Sequence, residues 1–181
     1  LFMQQEYNFY PENSVFRRID PELNFEVQYD INGKLMSQFF ELNLVTDWSN
    51  GLWSAVGYSF INNELYNDIF LKGVNRWHLN LEANNLSKIL TGGFYYEGGN
   101  YVVKFEYPSF VGFGHNFDIY TTFKPMDQLR NDLSFSYSEL ARSRGGEFLY
   151  AGYVLSDKIT YQFNKNFFLR VLLQYDMFSR A

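Results

Sequence analysis

Apolar and polar residues alternate with a period of two along almost the whole chain, the pattern of strands with one greasy and one wet face. From Phe167 to Met177 the odd positions read Phe167, Leu169, Val171, Leu173, Tyr175 and Met177, with Arg170, Gln174 and Asp176 between them. From Val15 to Asp30, Val15, Ile19, Leu23, Phe25, Val27 and Tyr29 face Arg18, Asp20, Glu22, Asn24, Glu26, Gln28 and Asp30. Leu133, Phe135 and Tyr137 alternate with Asp132, Ser134 and Ser136, and Trp77, Leu79 and Leu81 with Arg76, His78 and Glu82. No segment carries a helical period, so the chain reads as all-β. About ten strands are expected, over 1–10, 14–30, 34–47, 52–61, 74–84, 88–97, 100–124, 129–140, 149–163 and 166–178. Tyr101, Val103, Phe105, Tyr107, Phe117, Ile119 and Phe123 keep odd parity past Pro108 and Gly112-Phe113-Gly114, which favours one bulged strand over 100–124.

Alternation does not say which face points inward. In a soluble barrel or sandwich the apolar face makes the core, and in a membrane barrel it meets lipid while the polar face lines the lumen. Three features point to the membrane. Soluble strands cluster near five or six residues, whereas a tilted spanning strand needs about 9–11. Charges and amides run along whole polar faces, as at Arg18, Asp20, Glu22, Asn24 and Glu26. Tyr10, Tyr29, Trp48, Trp53, Trp77, Tyr96, Tyr161 and Tyr175 fall at or near the expected strand ends, where an amphipathic ring spans apolar and wet layers. Apolar residues are 46% of the chain while mean hydropathy is only −0.29, and no run reaches the ~18 apolar residues of a spanning helix. The 21% aromatic content excludes disorder. The absence of cysteine excludes a disulfide framework and a cysteine-based zinc site. A net charge of −5 argues against nucleic acid as a partner.

Some residues break the parity. Asp157 falls among Tyr153, Leu155, Ile159 and Tyr161, and Glu139 and Glu41 read as further departures near strand ends. Phe168 and Leu172 place apolar groups on a polar face. The connections alternate in length. Short turns are expected at Pro11–Asn13, Asp47–Gly51, Asn84–Ser87, Lys124–Gln128 and Asn164–Asn166, and long loops at Asn62–Gly73 and Ala141–Phe148. Asn32-Gly33 has the signature of a type I′ hairpin. Long loops on one side and short turns on the other match the layout of an outer-membrane barrel. With short turns on the periplasmic side, the first strand starts and the last ends outside, so sequence missing at both ends is expected.

The run Lys158-Ile159-Thr160-Tyr161-Gln162-Phe163-Asn164-Lys165-Asn166-Phe167-Phe168-Leu169-Arg170, followed by Gln174-Tyr175-Asp176, resembles one in a family of Gram-negative outer-membrane proteins. That family carries an amino-terminal, family-nine-like carbohydrate-binding domain and a carboxy-terminal β-barrel of unassigned function. Further matches are Tyr10-Pro11 before Arg17-Arg18, Gly93-Phe94-Tyr95-Tyr96-Glu97-Gly98, and Phe123-Lys124-Pro125. The likeness covers most of the chain in order, and its distinctive part is the Tyr-Gln-Phe to Gln-Tyr run. The binding domain and the family's last strands have no counterpart here. The resemblance therefore implies part of a barrel, and it transfers no catalytic residue.

Chemistry along the chain is sparse. His78 shares a face with Arg76 and Glu82, and His115 precedes Asn116 and Asp118; neither spacing makes a metal set, and no cofactor is expected. Asp20 with Glu22 or Glu26 could do general acid–base work, but a solvated lumen lining is strongly the favoured reading of them. Gly112-Phe113-Gly114 lacks the third glycine and helix of a nucleotide loop. Arg142 and Arg144 sit on an expected outer loop, where a solvated, flexible segment is the favoured reading and contact with anionic lipopolysaccharide heads the alternative. Asn85-Leu86-Ser87 matches a glycosylation acceptor that a bacterial setting makes irrelevant.

The first reading is therefore an antiparallel transmembrane β-barrel fragment of the bacterial outer membrane. It would anchor, or form a pore or accessory for, a larger envelope protein, with a link to glycan handling implied by the resemblance. Phe167, Leu169, Val171, Leu173, Tyr175, Leu133 and Phe135 would face lipid. Arg18, Asp20, Glu22, Glu26, Arg76, His78, Arg170 and Gln174 would face the lumen. Its partners would be outer-membrane lipid, the missing segments of the same polypeptide and another outer-membrane protein complex. An outer-membrane enzyme instead requires Asp20, Glu22 and His78 to converge. A soluble barrel for an apolar ligand requires Leu169, Val171 and Leu173 to point into a closed interior.

Overall fold

The computed structural model describes residues 1–83 and 87–180. The expected turn at Asn84–Ser87 and the Asn85-Leu86-Ser87 acceptor therefore lie at or outside the limits of the described residues. The described chain is all strand and turn: β1 (Phe2–Glu6), β2 (Phe16–Tyr29), β3 (Leu35–Trp48), β4 (Trp53–Tyr66), β5 (Ile69–Lys72), β6 (Arg76–Glu82), β7 (Leu90–Val103), β8 (Phe110–Met126), β9 (Leu129–Ala141), β10 (Phe148–Asn164) and β11 (Phe167–Arg180). They form one antiparallel sheet in chain order, β1-β2-β3-β4-β6-β7-β8-β9-β10-β11, with β5 paired to the far end of β4. Apart from β5, which pairs only with β4 and leads on to β6 along the same strand, each strand pairs with its neighbour in sequence, so hairpin connections suffice. The sheet is open, with β1 and β11 as its edges.

Three expectations need correction. Residues 100–124 are not one strand: β7 continues to Val103, and β8 begins at Phe110 after a loop containing Pro108. The expected break between 97 and 100 is absent, because Gly99 stays within β7 at φ +141°, a value only glycine adopts freely. Tyr101 and Val103 consequently share a face with even positions of β8, pairing with Gly112 and Phe110. Residues 62–73 are not a long loop either. Asn67 and Asp68 both adopt positive φ, 47° and 62°, joining Tyr66 to Ile69 in a tight hairpin. That is the geometry of a type I′ turn. The β5–β6 pair then fills the length that a single strand fills elsewhere. At Asn32-Gly33, by contrast, only Gly33 has positive φ, +79°, and its N–H reaches Asp30 O at 3.1 Å. This is a type I turn closed by a glycine in the left-handed region, not type I′.

The register sorts side chains into two continuous faces. One face runs through Leu23, Leu42, Tyr58, Trp77 and so on to Phe117, Tyr137, Tyr153 and Met177. The opposite face carries Glu22, Asn43, Gly57, His78, Glu97, Asn116, Ser138, Gly152 and Phe178 in one cross-strand row. Neither helix nor second sheet covers either face among the described residues. A face of a single-layer sheet loses exposure where side chains of neighbouring strands close over small residues, as Asn43 and His78 do over Gly57, and where it is the inner, concave side of the sheet's curvature. In β4 the alternation is sharp: Ala55, Gly57 and Ser59 are buried, while Val56 and Tyr58 are 47% and 48% exposed. Leu42 and Leu44 are likewise exposed, and Asp20, opposite them, is 2% exposed. On these strands the polar face is the more sheltered one and the apolar face is turned outward, Val27 and Thr46 being the buried exceptions on the apolar side. β11 is exposed on both faces, because no further strand lies beside it.

A small apolar cluster of Val103, Leu140 and Leu149, flanked by Tyr101, Phe110 and Tyr150, closes one end of the concavity. Loops at that end are tied by ion pairs. Lys34 reaches Asp68 at 2.9 Å, Lys104 reaches Glu64 at 2.6 Å, and Arg142 reaches Glu106 at 2.8 Å and Glu147 at 3.0 Å. The sequence favours a solvated, flexible loop for Arg142 and Arg144. Arg142 instead spends its charge on two carboxylates and lies over Phe110, and Arg144 lies over Phe113.

Candidate functional site

The concave face gathers the polar residues into a connected network at its centre. Arg76 Nη1 donates to Glu97 Oε1 at 2.8 Å, and the Tyr95 hydroxyl donates to Glu97 Oε2 at 2.6 Å. The Arg76 guanidinium also lies 5.1 Å from the Tyr101 ring centroid. Asn116 Nδ2 donates to the Tyr101 hydroxyl at 2.9 Å, and Ser138 Oγ donates to Asn116 Oδ1 at 2.5 Å. Four strands, β6 to β9, are thereby laced by side chains that alternate into one face. Each group satisfies another, so the network holds half-buried charge at low cost.

The residues assigned from sequence fall as two sets on opposite faces. Arg18, Asp20, Glu22, Glu26, Arg76 and His78 lie on the concave face, and Arg170 and Gln174 lie on the same face of the edge strand β11. Leu133 and Phe135 lie on the outward face with Leu169, Val171, Leu173, Tyr175 and, at the start of the strand, Phe167. Within the concave set the contacts differ from expectation. Asp20 meets Arg18 at 2.9 Å, and Arg18 also meets Asp47 at 3.2 Å. His78 lies near Glu41, with Nδ1 3.7 Å from a carboxylate oxygen. Glu22 and His78 share a row but sit three strands apart, roughly 14 Å at the usual strand spacing. Asp20, Glu22 and His78 do not converge.

Glu41 and Glu139, read as departures from the parity, differ from each other. Glu41 is on the concave face, because β3 turns its even positions outward. Glu139 does sit on the outward face, opposite His115, and accepts a hydrogen bond from the Tyr137 hydroxyl. His115 bonds the Tyr96 hydroxyl there and packs against Phe113, on the face opposite Asn116 and Asp118. Asp157 also keeps its outward place, with no bulge to redirect it, and accepts from Asn131 Nδ2. Among the described residues no group of three or more His, Asp or Glu is arranged to hold a metal ion.

Aromatic rings cross the outward face strand to strand. Trp77 and Tyr96 lie 4.5 Å apart between centroids, Phe117 lies 5.5 Å from Tyr137, and Tyr153 lies 5.9 Å from Tyr175. The expected placement of aromatics at strand ends holds only partly. Tyr96 and Tyr175 are mid-strand, and Trp53 belongs to the concave face, pairing with Asp47 and Glu82. The concave network went unread in the sequence because Arg76–Glu97 and Tyr101–Asn116 are contacts between strands. Only the register of β6, β7 and β8 brings them together.

No family model, curated protein or solved structure matches the chain.

Proposed function

We propose that this chain forms part of the wall of a transmembrane β-barrel in a bacterial outer membrane, its apolar face against lipid and its polar face lining a wet lumen. In that role it anchors a larger envelope protein or contributes to its pore. The family resemblance links it to glycan handling. The observation that carries the reading is the inverted exposure of a single-layer sheet: Leu42, Leu44, Val56 and Tyr58 are open, while Asp20, Ala55 and Ser59 are sheltered. In water that arrangement exposes the wrong side. In hydrocarbon it is the favoured one, because each apolar side chain meets lipid and each polar group keeps partners or lumen water.

Strand length supports the same reading. Strands β2, β3, β4 and β7 each have 14 residues. At about 3.3 Å per residue and a tilt near 40°, such a strand rises roughly 35 Å, enough for an apolar band of about 25 Å. On β10 the outward residues from Tyr153 to Phe163 cover roughly that band at the same tilt. The open edges at β1 and β11 fit a wall completed by further strands of the same polypeptide. Val56 and Tyr58, on the inner strand β4, are 47% and 48% exposed, which gives a soluble barrel with a dry apolar interior no support.

The test is insertion. The chain, refolded with phosphatidylethanolamine/phosphatidylglycerol vesicles, is floated on a density gradient and its strand tilt is read by polarised infrared spectroscopy. Co-flotation resistant to alkaline wash, with tilt near 35–45°, is expected. A chain that stays monomeric in plain buffer and sediments away from vesicles would refute the reading.

A further inference from the structure

We infer that the concave face between β8 and β11 is a binding site for a short neutral oligosaccharide. This rests on the reading of that face as a wet lumen and goes beyond it in naming a ligand. A cavity of about 410 Å³ lies there, lined by Asn116, Asp118, Ser136, Tyr150, Asp176 and Phe178 among others. Its floor is Gly152, which sits in register between Ser138 and Phe178. A Cβ at Gly152 would stand 3.2 Å from the Phe178 ring, so the space exists because that position has no side chain.

The groups around the cavity fit one kind of molecule. Tyr150 and Phe178 form a stacked pair, centroids 5.8 Å apart with planes 26° from parallel, and with Val154 they offer an apolar platform beside the polar groups. Asp118 and Asp176 close the lower side from β8 and β11, in the same cross-strand row as Ser136 and Val154. Among the described residues neither carboxylate accepts a hydrogen bond from another side chain, unlike Glu97 in the neighbouring network. Free acceptors call for a ligand rich in donors, and an aromatic platform calls for one with an apolar face. A pyranose ring has both: hydroxyls round its edge and C–H groups on its face. The two carboxylates repel phosphorylated or acidic glycans. Arg180, opposite Tyr150 in register, carries its guanidinium over the Phe105 ring and leaves the cavity without a cation of its own.

The experiment uses the full chain folded in lauryldimethylamine oxide, a detergent without sugar. Cellotriose, maltotriose and N-acetylchitotriose are titrated by saturation-transfer NMR and calorimetry, with spermidine and a sialylated trisaccharide as opposing probes. Saturable binding of at least one neutral trisaccharide is expected. It should weaken at least about tenfold in Gly152→Leu and in Phe178→Ala, and by a smaller factor in Asp176→Asn. Thr91→Ser, away from the cavity, should bind as the parent and so reports on folding. Binding of spermidine or the acidic glycan alone would overturn the inference. So would no saturation by any neutral probe, or binding that Gly152→Leu and Phe178→Ala leave unchanged in folded protein. Vesicle insertion is scored separately, so a chain that inserts but binds no sugar refutes this inference and leaves the barrel reading standing.

Discussion

Asn131 donates a hydrogen bond to Asp157 across β9 and β10, on the face that otherwise presents Leu133, Phe135, Leu155 and Val171. The pair is the principal polar interruption of that face below the aromatic rows. In lipid, an acidic group at depth costs less than the ~2–4 kcal/mol of a basic one, and a hydrogen-bond partner lowers the cost further. Asp157→Leu removes the acidic group but leaves the Asn131 amide unpartnered, so its net effect on the stability of the chain in bilayers is expected to stay within about 1 kcal/mol. Asn131→Leu should destabilise it by about 1–3 kcal/mol, because the carboxyl is left unpartnered. The double variant should recover most of that loss, a non-additivity that urea unfolding in vesicles measures.

Close approach on the concave side gives a second prediction. A Cβ at Gly57 would stand 2.0 Å from Asn43 Oδ1 and 2.4 Å from His78 Cε1, so both side chains must move to admit one. Gly57→Val should destabilise by about 1–3 kcal/mol. Val56→Ile, one residue along on the open face, should stay within about 0.5 kcal/mol. Unfolding midpoints in micelles compare the two.

The β2–β3 turn gives a pH prediction. The Lys34 N–H and the Asn32 N–H both reach Asp30 Oδ1 at 2.8 Å. The Lys34 bond, chiefly, holds the Asp30 carboxyl below its usual range. The lowered group stabilises the turn in full above the unfolded carboxylate value, about 3.9, and the effect is lost as pH falls through the lower folded value. NMR titration should place the Lys34 amide transition below that of a free aspartate. In Asp30→Asn the transition should vanish.

Much of this architecture was legible in the sequence, because a period of two survives wherever a strand keeps one face to each medium. It is plain in β2, β9 and β11, and it placed Arg18, Glu22, Leu133 and Leu169 on the faces where they lie. It failed where parity ran through a reversal of chain direction. Tyr101 and Phe117 are both odd-numbered, but a loop separates them and they face opposite ways. Glu41 was misplaced because the outward parity of β3 is fixed by its pairing with β2, not by its own composition. The saccharide cavity was out of reach for the same reason: Asp118, Gly152 and Phe178 meet only through two strand registers.

The central claim is the direction of the two faces, and the chain contains no cysteine, so single cysteines report on it cleanly. Cysteines at Leu42, Leu44, Ile119 and Leu133 on one face, and at Asn43, Asn80, Ser136 and Ser138 on the other, carry an environment-sensitive fluorophore in vesicles. The account predicts blue-shifted emission quenched by lipid-borne nitroxides for the first four, and quenching by aqueous iodide for the second four. Iodide quenching of the Leu42, Leu44, Ile119 and Leu133 labels, with nitroxide quenching of the others or of none, would contradict it.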